Sequence, residues 1–187
     1  NEYGFSFRYP KEWGYFSYTN SSHIINYNGQ LIEDPTTSIS MGANKNEQQL
    51  VVRITDFIKS PTKPIDLNYL GGDNPRILLS KKEITEYRKA SKFIRDGLSQ
   101  GTFSIDYDYP GGGFIISREM FVDNNLIEFS SALKVDNFEK LFTDEAANLD
   151  RTAVRKKIEK LYAGMGTPGE LYQIAFFNSI ILTITPT

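Results

Sequence analysis

The stretch that most constrains this chain is Tyr3-Gly4-Phe5-Ser6-Phe7-Arg8-Tyr9-Pro10-Lys11-Glu12-Trp13. Phe5, Phe7 and Tyr9 alternate with Gly4, Ser6 and Arg8, the two-residue period of a half-buried strand. Pro10 lacks a backbone donor and fixes φ, so ladder pairing is expected to stop there. Trp13, the only Trp of the chain, has the bulk to plug the end of a hydrophobic core. The abundance of Phe (13) and Tyr (11) favours a sheet-rich interior.

A length of 187 residues fits one domain over 1–187. The net charge of −2 gives no pull toward nucleic acid or anionic lipid. No apolar run reaches the roughly 18 residues of a membrane span. The absence of Cys removes disulfides, thiolate metal sites and a Cys nucleophile. The sequence opens at Asn1 rather than Met, and a trimmed signal peptide or lipid-anchor leader is the expectation.

Along the chain, short strands are expected at 14–18 and 23–27, separated by turn chemistry at Thr19-Asn20-Ser21-Ser22 and closed by Asn28-Gly29. Thr37, Ile39 and Met41 mark another strand, and Leu50, Val52 and Ile54 the next. Residues 58–79 read mostly as loop, because Pro61, Pro64 and Pro75 discourage long elements. Ser80 and Glu83 form a capping box that opens a helix over about 81–97. A strand at 103–109 and a hairpin over 114–133 follow. Asp150 is placed to cap a helix over about 151–163 with Val154, Ile158, Leu161 and Tyr162 inward. Thr167-Pro168-Gly169-Glu170 is a second capping box, with Pro at the favoured first position. Its helix should turn Leu171, Ile174, Phe177, Ile180 and Ile181 to the core, and a short last strand should follow at 182–185.

The opening Tyr3–Trp13 motif resembles the first strand and corner of PsbP-like domains, many of them in bacterial exported lipoproteins of unassigned role. Phe177-Asn178-Ser179-Ile180-Ile181-Leu182-Thr183-Ile184 is similar to that family's closing helix-to-strand segment. The resemblance implies an α+β fold of the α/β/α sandwich type: a central, mostly antiparallel sheet with helices on both faces. It also implies export, with any membrane attachment made through an upstream lipid anchor. It carries over no catalytic residue and no cofactor.

The residues give few chemical leads. His23 is the only His, and one His builds neither a zinc site nor a triad. No Walker A, Gly-x-Gly-x-x-Gly or Gly-x-Ser-x-Gly motif occurs. Asp106 and Asp108 share a strand face, with Cα atoms about 6.6 Å apart. They are candidate ligands for a hard cation or a carboxylate pair for hydrolysis, set against the plainer reading of a solvated face. Arg118 interrupts an apolar strand face, so it pairs with a carboxylate or the strand end reaches solvent; the second is the simpler expectation. The cationic run Arg151, Arg155, Lys156, Lys157 and Lys160 reads as a solvated helix face.

The reading that results is a non-enzymatic extracytoplasmic binding or accessory domain without a cofactor. Its partner is an unassigned protein or small ligand, with Asp106, Asp108 and Arg118 as candidate ligand-binding residues. The expected contact region is the loop rim at 58–79 and 110–113. The alternatives are a hydrolase using Asp106 and Asp108, and a structural adaptor in an envelope assembly with a large exposed apolar patch.

Overall fold

The computed structural model describes residues 3–27, 30–45, 48–56, 62–64, 76–91, 104–108, 113–122, 124–143 and 148–186. In chain order the strands are β1 (Phe5–Ser6), β2 (Tyr15–Tyr27), β3 (Gln30–Gly42), β4 (Gln48–Asp56), β5 (Thr62–Pro64) and β6 (Arg76–Leu78). Helix α1 (Lys81–Ser91) follows, then β7 (Ser104–Asp108), β8 (Gly113–Val122) and β9 (Asn125–Leu133). The C-terminal part holds β10 (Phe142–Thr143), β11 (Asn148–Leu149), α2 (Arg151–Tyr162), α3 (Pro168–Ile181) and β12 (Thr185–Pro186).

Six of these strands make one antiparallel sheet in the order β2-β3-β4-β9-β8-β7. The pleat sorts its side chains into two different faces. One cross-strand row of the inner face runs Tyr18, Ile39, Val52, Phe129 and Arg118. A row of the outer face runs Ser17, Ser40, Val51, Ser130, Ser117 and Ser104.

The inner face carries the main core. Val52, Ile127, Phe129 and Val154 are completely shielded from solvent. Burying a side chain such as Phe129 stabilises the fold by about 1.5–3 kcal/mol. Helices α2 and α3 cover this face through Val154, Leu161, Phe177, Ile180 and Ile181. The N-terminal segment completes the cover: the Phe5 and Phe7 rings meet Phe129 edge-on, with centroids 5.8 and 5.4 Å away. Trp13 closes the core as expected, its amide donating to the Pro10 carbonyl at 3.1 Å. Segment and tail are joined: β1 pairs with β12, and the Arg8 amide donates to Thr183 Oγ1.

The expected α/β/α sandwich is not what forms. Among the described residues the helices do not layer both faces of the antiparallel sheet. On the outer face, α1 packs at one corner only, Ile84 against Leu79, Phe121 and Leu126. The physical reason lies in the pleat. A face built of Ser17, Ser40, Ser130 and Ser117, with Thr19, Ser38, Arg53 and Glu128 in the next row, offers little apolar area for a helix to bury.

The caps expected from the sequence form, but the turn at 19–22 does not, and the last strand is β12 at Thr185–Pro186 rather than 182–185, Leu182 being the C-cap of α3. The Ser80–Glu83 box is reciprocal, with Ser80 N–H donating to Glu83 Oε2 at 2.8 Å and Glu83 N–H to Ser80 Oγ at 3.3 Å. Asp150 accepts from Thr152 and Ala153 and starts α2. That helix ends in a Schellman arrangement around Gly164 (φ +71°): Gly164 N–H donates to Leu161 O and Met165 N–H to Lys160 O. The hairpin forms as β8 and β9. The turn expected at 19–22 does not form; β2 runs through it as one 13-residue strand. Its polar side chains are used across the ladder instead: Thr37 Oγ1 donates to Asn20 Oδ1, and Ser21 Oγ to the Thr36 carbonyl. Pro35 is tolerated within β3 because the pairing of β3 with β4 begins only at Thr36.

Candidate functional site

Of the three residues singled out from the sequence, Asp106 and Asp108 lie on β7, the edge strand opposite β2. Their side chains lie outside the described residues. The register pairs Asp106 with Ile115 and Asp108 with Gly113. Arg118 stands on the alternate pleat of β8, in line with Ile116 and Met120 and beneath the helices. The ladder therefore does not bring position 118 together with 106 and 108. The expectation that Arg118 reaches solvent is also corrected: the residue is only 2% exposed. Burial lowers its pKa from the ordinary guanidinium value, partly offset by its electrostatic interaction with Tyr162. Most of the 58–79 and 110–113 rim lies outside the described residues.

Among the described residues no group of three or more His, Asp or Glu side chains forms a metal cluster. A recess of about 230 Å³ lies along α2, lined by Arg151, Thr152, Arg155, Lys156 and Glu159. All five side chains come from α2 and are exposed, as expected of Arg151, Arg155 and Lys156; Lys157 departs from that expectation, being 20% exposed and ion-paired with the buried Glu170. Among the described residues no helix is long and apolar enough to cross a membrane.

A different group of residues forms a surface. An unbroken relay of aromatic rings leaves the core and emerges into solvent. Phe7, against buried Phe129, touches Tyr9 at 6.2 Å; Tyr9 stacks on Trp13 at 6.4 Å and meets Phe16 edge-on at 5.2 Å. Trp13 then meets Phe176 of α3 at 6.1 Å, and Phe176 stacks on Tyr172 at 6.3 Å. At the solvent end Tyr9 is 43%, Phe16 49%, Tyr18 55% and Tyr172 70% exposed. Tyr18 is joined through its hydroxyl to Tyr3 Oη at 3.1 Å, and Tyr3 donates on to Thr37 Oγ1. Each ring pair adds about 0.5–1.5 kcal/mol beyond its burial, so the exposed rings rest on a stiff base.

This ledge has a clear structural origin. Phe16 and Tyr18 are on the inner pleat of β2, in register with Met41 and Ile39. They lie on β2, at one edge of the six-stranded sheet, where the N-terminal segment meets them: Tyr9 against the Phe16 ring and Tyr3 against the Tyr18 hydroxyl. From the sequence alone, Tyr9 counted as an inward strand residue; β1 ends at Ser6, and Tyr9 falls outside it. The one signal available was the pairing of Phe16 and Tyr18 with polar alternates at the first strand after the Pro10 corner. In comparison with known proteins, no family model, no curated protein and no solved structure matches the chain.

Proposed function

We propose that this chain is a non-enzymatic, extracytoplasmic binding or accessory domain whose contact surface is the ledge of Tyr9, Phe16 and Tyr18, extended by Tyr172. The observation that carries the proposal is the half-exposure of Tyr9, Phe16 and Tyr18 while Tyr9 and Phe16 are tied through ring contacts to the buried Phe129 and Tyr18 through its hydroxyl to Tyr3. Aromatic side chains held in place lose little freedom on binding and supply large contact area, which is why they dominate interface energetics. The location outside the cytoplasm rests on the resemblance of residues 3–13 and 177–184 to domains of exported lipoproteins. Recovery of the protein in the cytoplasmic fraction of its own cells would refute it.

The surface contains its own reporter. Trp13 is the only Trp and stacks directly on Tyr9. A ligand seated on the ledge should change Trp13 emission and raise the thermal midpoint, since it prefers the folded state. The test is a titration of neutral oligosaccharides and uncharged peptides read by both signals. Any ligand found is then tried against the triple variant Tyr9→Ser, Phe16→Ser, Tyr18→Ser. Loss of binding in a folded triple variant supports the proposal; unchanged affinity sinks it.

A further inference from the structure

The two edges of the six-stranded sheet are guarded very differently. At one edge β7 carries Asp106 and Asp108 within five residues. At the other, β2 runs 13 residues, Tyr-Phe-Ser-Tyr-Thr-Asn-Ser-Ser-His-Ile-Ile-Asn-Tyr, without a Lys, Arg, Asp, Glu, Pro or Gly. Among the described residues no strand hydrogen-bonds to the outer side of β2. An edge strand presents a row of backbone donors and acceptors, and proteins ordinarily blunt such edges with charge, proline, bulges or brevity. Over Tyr15–Asn20, β2 has none of these: its pairing with β3 is continuous, and Phe16, Tyr18, Thr19 and Asn20 are exposed.

We infer that the outer edge of β2 at Tyr15–Asn20 pairs antiparallel with the same segment of a second copy of this chain. Three observations select a second copy over a foreign strand. The segment has no charge with which to recognise a complementary partner, and none to repel its own image. Its Ser, Thr and Asn side chains suit cross-strand hydrogen bonds with themselves. The chain as a whole carries a net charge of only −2, so two copies approach with little repulsion, a condition that promotes self-association. Antiparallel pairing about a two-fold axis is isologous and closes at two copies. The pairing needs the backbone edge alone. It therefore goes beyond the proposed function and stands whether or not the ledge binds a ligand.

The test is the mass of the whole chain in solution across a concentration series, by light scattering or sedimentation equilibrium. A monomer–dimer equilibrium is expected, with amides of residues 15–20 gaining hydrogen-exchange protection as the dimer fills. Thr19→Lys places a charge on the edge and should weaken the dimer at least about tenfold, or 1.4 kcal/mol. Far-UV dichroism confirms that this exposed-site variant remains folded. A wild-type chain that stays monomeric at the highest concentration reached overturns the inference. So does a dimer that Thr19→Lys leaves intact, or one whose protection falls outside β2. If the lysine variant does not fold, the exchange pattern of the wild type still decides.

Discussion

Replacing Glu170 by Ala should remove the strongest polar tie between α2, α3 and the end of β9. The Glu170 residue is 1% exposed, on the core side of α3. One carboxylate oxygen, Oε1, accepts from Asp136 N–H at 2.9 Å and from Lys157 Nζ at 2.7 Å. The other, Oε2, accepts from Thr167 N–H at 2.9 Å and again from Lys157 Nζ at 2.8 Å. Truncation strands two backbone donors at about 1–1.5 kcal/mol each and breaks a charge-assisted contact of about 1.5–3 kcal/mol. The Lys157 side chain is 20% exposed and regains some water, and the desolvation cost of the carboxylate disappears. The net loss expected is about 3–5 kcal/mol. For a chain of this length that lowers the thermal midpoint by on the order of 10 °C. Glu170→Gln keeps shape and one acceptor and should cost about half as much. Urea and thermal unfolding of the three proteins at neutral pH measure this. A loss below about 1 kcal/mol in Glu170→Ala, with Glu170→Gln indistinguishable from it, refutes the reasoning.

The same residue sets a pH dependence. Burial raises the Glu170 pKa, but the Lys157 contact and the Thr167 and Asp136 amides outweigh it and hold the group below the ordinary carboxylate value. In that window the unfolded chain binds the extra proton, so unfolding becomes easier as acid is added. The contribution is fully present above the ordinary carboxylate value and is lost as pH falls through the lower folded one. Glu170→Gln should flatten this part of the acid-unfolding curve. Gly166→Ala should cost about 1–3 kcal/mol in chemical unfolding, because the added carbon would sit 2.9 Å from Leu161 Cδ2 and 3.1 Å from Glu170 Oε2. Asn178→Leu should instead raise stability by about 1–3 kcal/mol, since Asn178 Oδ1 is buried without a hydrogen-bond partner among the described residues; a lower thermal midpoint in that variant would contradict the account.

What the sequence made legible was mostly local. Capping boxes at Ser80 and Thr167, the Asp150 cap and the 114–133 hairpin depend on residues a few positions apart, and each formed. Trp13 was legible as a plug of the core from its bulk and its place after Pro10, and it packs there against Phe176 of α3. Readings that needed register were less accessible. Thr19-Asn20-Ser21-Ser22 has turn chemistry, yet Thr37 and Thr36 across the ladder absorb it into a strand. Glu170 was read as a capping residue; nothing nearby in sequence announced Lys157, 13 positions back, as its partner. Tyr162 was expected inward from its spacing and is 50% exposed, while Leu161 beside it takes the core position at the end of α2. How Asp106 and Asp108 stand to Arg118 was not legible in the sequence, since strand alternation orders each residue within its own strand while only the β7–β8 pairing relates one strand to the next.

The clasp between the first and last strands has a consequence for how the molecule is made. Ser6 Oγ meets Thr185 Oγ1 across 179 positions of sequence. During synthesis Phe5 and Ser6 leave the ribosome long before Thr185 and Pro186, the strand with which they pair. The aromatic cluster around Tyr9 therefore remains unclasped while the residues between the two strands are made, and the surface it builds forms only once β12 has emerged.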